Sequence, residues 1–278
     1  MHISGKTKIV GIFGYPIEHS LSPYMHNAAF KHLHLDFCYV PFLVNPESLP
    51  DAVKALKALS IVGVNVTIPH KEKVVSFLDD LSEEAKFIGS VNTIINSKGK
   101  LVGLNTDGKG FMSSLAEAGI NISGKKILLI GAGGAARAVS YYLCKTASHL
   151  FIYNRTARRA ESLQTHLSQL NKNVSTINED SINSGLFIRD IDMIVNSTPL
   201  GMKSDDPMPF NTTLLKAHQI VCDLIYADTP LIKAASKVGC KTLNGLGMLL
   251  WQGALAFREW TGLEPPIEIM REALSGKI

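Results

Sequence analysis

The chain has few cysteines, four in 278 residues, and Cys38, Cys144, Cys222 and Cys240 lie far apart with no CxxC spacing. That argues against a disulfide framework or a thiolate metal site and leaves them as small core residues in a reducing compartment. Long hydrophobic runs are missing. No stretch approaches the roughly 20 apolar residues of a membrane span, and the opening MHISGKTKIVGIFG lacks an apolar signal segment before its first turn. Charge is sparse: Asp, Glu, Lys and Arg make up 19% of residues, the formal net charge is +4, and the basic residues are scattered without aromatic interleaving. Nucleic acid and membrane are therefore poor candidates as partners, and an anionic small molecule fits better. Repeats and low-complexity linkers are absent too. What is present is 46% hydrophobic residues, enough for a sizeable core in a soluble, cytoplasmic protein of one or two domains.

Short apolar runs alternate with amphipathic stretches, which predicts an α/β fold with a mainly parallel sheet. Strands are expected over 9–13, 37–40 and 61–68, with helices over 23–33 and 49–59. Helical pattern follows through Leu78 and again from Ser82, and a hairpin spans 91–95 and 100–103 around Asn96-Ser97-Lys98-Gly99. A second series has a helix over 108–118, strands over 126–130, 150–153, 174–177, 193–195, 220–224 and 241–243, and helices over 135–143 and 157–170. The tail is strand-free, with helices over 248–260 and 266–274 that have no sheet of their own and are expected to return to the first domain. The expected division is 1–106 with 246–278 for one domain and 107–245 for the other.

The run Lys126–Ile130 leads into Gly131-Ala132-Gly133-Gly134-Ala135-Ala136, a GxGxxA loop between a buried strand and a helix. Gly131 allows the tight turn, Gly133 lets backbone approach a pyrophosphate, and Ala136 keeps helix and strand close. The helix N-terminus offers free N–H groups to phosphate. A glycine turn chosen only for packing is the plainer alternative. The next strand ends Tyr153-Asn154-Arg155-Thr156 with Arg158 and Arg159 behind it, and carries no acidic residue for ribose hydroxyls. A guanidinium matches a 2′-phosphate, so NADP is favoured over NAD. Arginines that merely solvate a helix start would oppose its dipole.

The first domain carries its own polar groups. Ser20 and Ser22 lie two apart after the first strand, where extended backbone points both the same way. Ser22 also suits an N-cap, with Pro23 in the first turn. His19 and His26 have no matching ligand set and fit packed or hydrogen-bonded positions better than a metal. Asn65, Thr67, Lys71, Asn92 and Asp107 are expected at or just past strand ends, facing an interdomain cleft. Asp107 alone would also read as a helix cap. Amides and hydroxyls suit a polyhydroxylated ligand, and a lysine beside an aspartate makes a proton relay next to a reacting hydroxyl. A dinucleotide would supply hydride.

Taken together, GYPIEHSLSPYMHN (14 to 27), GVNVTIPHK (63 to 71), GSVNT (89 to 93), GLNTDG (103 to 108), GAGGAARA (131 to 138), NRT (154 to 156), NSTPLGM (196 to 202) and GLGMLLWQGALAFREWTG (245 to 262) resemble the shikimate dehydrogenases over nearly the whole chain. The resemblance implies a substrate domain joined to a Rossmann-like NADP-binding domain, with the C-terminal helices back on the substrate domain. It implies an oxidoreductase acting on a CH–OH group: NADPH-linked, reversible reduction of 3-dehydroshikimate to shikimate in aromatic amino-acid biosynthesis. Lys71 and Asp107 are then the catalytic pair, Ser20 and Ser22 hold the substrate carboxylate, and Asn65, Thr67, Asn92 and Asp107 hold ring hydroxyls with Lys71. Gln252 and Tyr226 complete the pocket. The cofactor, NADP(H), meets Gly131, Gly133, Gly134 and Ala135, and its 2′-phosphate meets Asn154, Arg155, Thr156 and Arg159. Thr198, Ile225, Gly245, Met248 and Leu249 lie toward the nicotinamide.

One departure is that Tyr226 is followed directly by Ala227-Asp228-Thr229-Pro230-Leu231, a shorter loop than the family's and without its Asn-Pro. A quinate/shikimate dehydrogenase using NAD, an aminoshikimate dehydrogenase and a non-catalytic NADPH-binding regulator are the alternatives. The first is opposed by the paired serines and the arginines, the last by the presence of both Lys71 and Asp107. Monomer and homodimer both suit the family.

Overall fold

The computed structural model describes residues 3–203 and 205–276. In chain order the elements begin β1 (Lys8–Gly14), α1 (Ser22–His32), β2 (Phe37–Leu43), α2 (Leu49–Ala58), β3 (Gly63–Val66), β4 (Asp80–Leu81), α3 (Glu83–Ile88), β5 (Thr93–Ser97) and β6 (Lys100–Leu104). They continue α4 (Asp107–Glu117), β7 (Lys126–Ile130), α5 (Gly134–Thr146), β8 (His149–Tyr153), α6 (Ala157–Leu167), β9 (Val174–Thr176), α7 (Glu179–Ile182), α8 (Gly185–Arg189), β10 (Met193–Asn196), β11 (Ile220–Asp223), α9 (Pro230–Val238) and β12 (Lys241–Leu243). The last two are α10 (Leu246–Thr261) and α11 (Ile267–Ser275). Among the described residues no helix is long and apolar enough to cross a membrane.

Two compact units form. One takes the described residues up to Gly110 and from Leu249 onward, and the other takes Phe111–Met248. In the first, six strands pair in the order β2-β1-β3-β5-β6-β4. β1 runs parallel to β2 and β3, and β6 to β4, while β5 runs against both of its neighbours. Alternation along β1 sends Val10 and Ile12 into a core with Met25, Ala29 and Phe30 of α1 and with Phe257 and Met270 of α10 and α11. Phe13 enters the opposite core with Leu49, Val53 and Leu56 of α2. The sheet is thus covered on both faces, which is why its strands are near-continuous apolar runs. The close approach of α10 to α4 shows at Gly110: a Cβ there would stand 2.7 Å from the Gln252 backbone nitrogen.

The second unit is a six-stranded, wholly parallel sheet in the order β12-β11-β10-β7-β8-β9. Leu128, Ile194 and Val221 from its central strands pack with Ile182, Ile188 and Leu231 of α7, α8 and α9. Parallel pairing puts the segments after β7, β8, β10, β11 and β12 on one edge, where open sheets of this kind bind ligands.

The structure departs from expectation in particular places. The helical pattern through Leu78 is only a 3-10 helix over Lys73–Phe77. Asp79 then exchanges bonds with Leu101, its N–H to the carbonyl and its side chain to the N–H, and draws the chain into β4 instead. The short α7 is fixed by an Asn178 cap on the Ser181 N–H, and α9 starts at a Thr229 cap and Pro230 and stops at left-handed Gly239. Neither α7 nor α9 nor α8 follows from the apolar pattern that located the longer elements. Ser22 is not a cap: α1 is preceded by Leu21, and no side chain caps it.

His26 is fully buried and stacks on Tyr39 with ring centroids 4.4 Å apart. Neither of its ring nitrogens has a hydrogen-bond partner among the described residues, and burial holds its pKa down to about 3. The unfolded chain, with an ordinary histidine near 6.5, therefore binds the extra proton between these values. Stability should be full above about pH 6.5 and fall with acidification by up to about 1.4 kcal/mol per pH unit. Burial shifts His70 and His149 the same way. Urea unfolding at pH 7 and pH 5 checks this: His26→Phe should lose less stability than the wild type, and an equal loss in both would remove His26 as a cause.

Candidate active site

Lys71 lies five residues beyond the end of β3, and Asp107 opens α4 after β6. The Lys71 Nζ donates to Asp107 Oδ2 at 2.6 Å, and the two side chains are only 16% and 5% exposed. Asp107 Oδ1 accepts the Asn92 amide at 2.9 Å. Both carboxylate oxygens thus accept from side chains, and Asp107 is the first residue of α4 rather than the residue before it. An ammonium has three N–H donors. Among the described residues Asp107 takes one, leaving two for a ligand.

Asn92 does not follow a strand, as expected, but precedes one. It reaches the same edge because β5 runs antiparallel, so its start lies beside the ends of β3 and β6. Its Nδ2 also donates to Thr106 Oγ1 at 2.9 Å and to Gln252 Oε1 at 3.1 Å, which brings α10 into the site from 160 residues away. Its Oδ1 accepts the Thr106 N–H at 2.7 Å. Asn65 is bonded on both ends of its amide. Its oxygen accepts the Tyr39 hydroxyl at 2.8 Å and its amide donates to the Asn92 carbonyl and Thr93 Oγ1, so its donors are engaged inside the protein. Tyr39, Thr93 and Thr106 are members of this cluster that sequence missed; a tyrosine in an apolar strand carries no local sign of a polar role.

Thr67 stands on the same edge, where its N–H meets the Phe13 carbonyl at 2.9 Å. The loop after β1 runs alongside, with the Tyr15 N–H on the Ile68 carbonyl at 3.0 Å. This loop carries Ser20 and leads into Ser22, the first residue of α1, whose N–H meets Ser20 Oγ at 3.4 Å. His19 on it is exposed. Among the described residues no three His, Cys, Asp or Glu side chains gather as metal ligands.

In the second unit, Gly131 has φ +115°, a conformation that favours glycine, and a Cβ there would collide with Ser197 Oγ. Gly133 precedes α5 and its first turn holds no acidic residue. A Cβ on Gly133 would meet nothing within 4 Å. Protein packing therefore does not demand glycine at 133, while a phosphate brought against the backbone would. Arg155, Arg158 and Arg159 are exposed at the start of α6, a helix with no acidic residue in its first turn. None has a carboxylate partner among the described residues. Asn154 lies between them and the strand, bonded to the Thr156 carbonyl at 2.9 Å. These groups fit a phosphorylated dinucleotide.

Thr198, Ile225 and Gly245 follow β10, β11 and β12 on the same edge. They are tied together: Thr198 donates N–H and hydroxyl to Asn196 Oδ1, Asn196 and the Ile225 N–H donate to Asp223, and the Gly245 N–H meets the Ile225 carbonyl at 2.9 Å. Burial pushes the Asp223 carboxyl up, opposed by its bonds from Thr229, Ile225 and Asn196. Tyr226 belongs to this unit, on the shortened loop after β11, and Met248 ends the unit within α10, one residue before Leu249.

Three family models match: the shikimate dehydrogenase substrate binding domain over residues 12–94, shikimate / quinate 5-dehydrogenase over 114–201, and the shikimate 5'-dehydrogenase C-terminal domain over 245–274. The chain is 48% identical over 278 residues to a shikimate dehydrogenase (NADP(+)) of Carboxydothermus hydrogenoformans, covering 99% of each chain. Among solved structures, it is similar to a shikimate dehydrogenase in complex with NADP+, at 43% identity and TM-score 0.91 over 100% of this chain and 98% of that one. It is similar as well to Thermus thermophilus shikimate 5-dehydrogenase in complex with NADP(H) and shikimate, at 35% identity and TM-score 0.88 over 98% and 100%.

The clearance at Gly133 separates folding from binding. Gly133→Ala should leave thermal unfolding unchanged within about 2 °C, because a Cβ there meets no protein atom, yet weaken dinucleotide binding by about tenfold or more. Calorimetric titration with NADP+ checks this, and undiminished affinity would place the pyrophosphate elsewhere.

Proposed function

The chain belongs to the shikimate dehydrogenase family, and on that premise we propose that it catalyses the reversible, NADPH-dependent reduction of 3-dehydroshikimate to shikimate, a step toward the aromatic amino acids. The observation that carries this is the buried Lys71–Asp107 pair, 2.6 Å apart at the edge where β3, β5 and β6 meet. A buried ion pair adds little stability over apolar residues of similar volume, and its retention suits a chemical use.

When bound, NADPH supplies the hydride for the ketone carbon. Negative charge then develops on the ketone oxygen. Lys71 meets that charge with an N–H that Asp107 leaves unused, and transfers the proton as the O–H bond forms. Asp107 holds the amine in place and balances its charge. In the oxidation direction the same amine, neutral, takes the proton from the ring hydroxyl. Asn65, Thr67, Asn92 and Asp107 hold the ring hydroxyls with Lys71, Ser20 and Ser22 bind the carboxylate, and Gln252 and Tyr226 are further substrate contacts. The helix start at Gly131, Gly133, Gly134 and Ala135 holds the pyrophosphate. Asn154, Arg155, Thr156 and Arg159 hold the 2′-phosphate, and Thr198, Ile225, Gly245, Met248 and Leu249 flank the nicotinamide.

Steady-state assays with shikimate and quinate, each with NADP+ and NAD+, test the assignment directly, and absence of turnover with shikimate and NADP+ would overturn it. Lys71→Ala should lower kcat about a hundredfold or more, with a smaller effect on shikimate affinity, as for loss of a donor to a developing oxyanion. Near-normal turnover in that variant would exclude the amine from proton transfer. Arg155→Ala should raise KM for NADPH by about tenfold and leave KM for NADH nearly unchanged, because the charged bond to the 2′-phosphate exists only in the first. Equal effects would mean that Arg155 does not meet this phosphate.

A further inference from the structure

Building on that function, we propose that Tyr39 is a positioning residue for the catalytic pair: its hydroxyl heads a one-directional chain of hydrogen bonds that ends on Asp107. Tyr39 lies on β2 and is 1% exposed. Its ring packs like any core aromatic, stacked on His26 at 4.4 Å and 6.0 Å from Trp260. Phenylalanine would fill this space without bringing a hydroxyl that must be partnered once buried. Asn27 fixes the Tyr39 backbone from both sides, donating to its carbonyl at 2.9 Å and accepting its N–H at 2.8 Å. His26 and Asn27 of the SPYMHN stretch thus both serve to place this one residue.

From the hydroxyl the bonds run in one sense. Tyr39 O–H donates to Asn65 Oδ1 at 2.8 Å, which turns the Asn65 amide nitrogen toward Thr93 Oγ1 at 3.1 Å and the Asn92 carbonyl at 3.2 Å. Thr93 O–H, receiving on its oxygen, donates to Asn92 Oδ1 at 3.1 Å. With its oxygen held there and by the Thr106 N–H, Asn92 presents its nitrogen to Asp107 Oδ1 at 2.9 Å. Each alternative amide orientation sets acceptor against acceptor: Asn65 Oδ1 against the Asn92 carbonyl, or Asn92 Oδ1 against the Asp107 carboxylate. Donors arranged head to tail polarise one another in a low-dielectric interior. Tyr39 touches neither substrate nor reacting atoms in this scheme. It acts through Asn65, Thr93 and Asn92.

The test uses the full-length enzyme and the variants Tyr39→Phe, Thr93→Val and Thr93→Ser. Tyr39→Phe and Thr93→Val should each lower kcat/KM for shikimate by about tenfold, the scale of one buried hydrogen bond, with KM for NADP+ within about twofold of wild type. Thr93→Ser, which keeps the hydroxyl, should retain wild-type kinetics. In the double variant, Tyr39→Phe should add nothing to Thr93→Val, because the chain is already broken. The proposal is overturned if Tyr39→Phe or Thr93→Val keeps wild-type kcat/KM, if their effects multiply, or if the constants for both substrates fall equally. Should either variant fail to fold, Thr93→Ser and the other variant still give the comparison. Wild-type enzyme without shikimate turnover would instead overturn the function proposed above. The chain is then read from the Asn92 side-chain amide by NMR, whose hydrogen exchange should quicken in Tyr39→Phe and, if unchanged, refute the link.

Discussion

A carboxylate withdrawn from water needs a donor on each oxygen, and around Asp107 that requirement organises the whole first unit. Lys71 supplies one donor and Asn92 the other. To bring them together the chain must end β3 and β6 at one edge and start β5 there, so the single antiparallel strand in the sheet is part of the site. Gln252 must arrive as well, and does so because glycine at 110 lets α10 lie against the start of α4. Trp260, on the same helix, donates its indole N–H to the Ile94 carbonyl at 3.1 Å and pins α10 to β5.

The second unit meets a different demand with the same geometric resource. All six strands run one way, so the segments that follow them collect on the carboxyl edge. One loop begins with a left-handed glycine that lets Ser197 pack close, and continues with a glycine that packing does not require. Guanidinium groups with no carboxylate partner among the described residues stand at the next loop, where a helix dipole would sooner have acids. Each feature is unfavourable for folding alone and becomes intelligible with an anionic nucleotide in place.

Much of this was legible in the residues. The α/β alternation, the glycine loop and the missing acid after Tyr153 are local patterns, carried by period, residue type and order. The long helices and central strands appear near their expected bounds because burial on both faces of a sheet leaves an unmistakable apolar run. Where expectation failed, the competing signal was small or distant. The stretch before Leu78 became a 3-10 turn and a two-residue strand through bonds to Leu101. Ser22, by type a natural cap, was left uncapping because α1 begins on it.

Lys71 and Asp107 could be named from the chain as a pair because their residue types and their places near strand ends suit proton transfer. Their 2.6 Å contact could not, since 36 residues separate them. The direction of each amide was still further out of reach. Which way the Asn65 amide points depends on a tyrosine two strands away in the sheet order. Sequence alone determined which chemical groups this protein has and on which kind of element each sits, because those follow from local propensity and periodicity. Only the tertiary structure decided which groups touch and which way their donors point, because hydrogen bonds are set by distance and angle across the sheet.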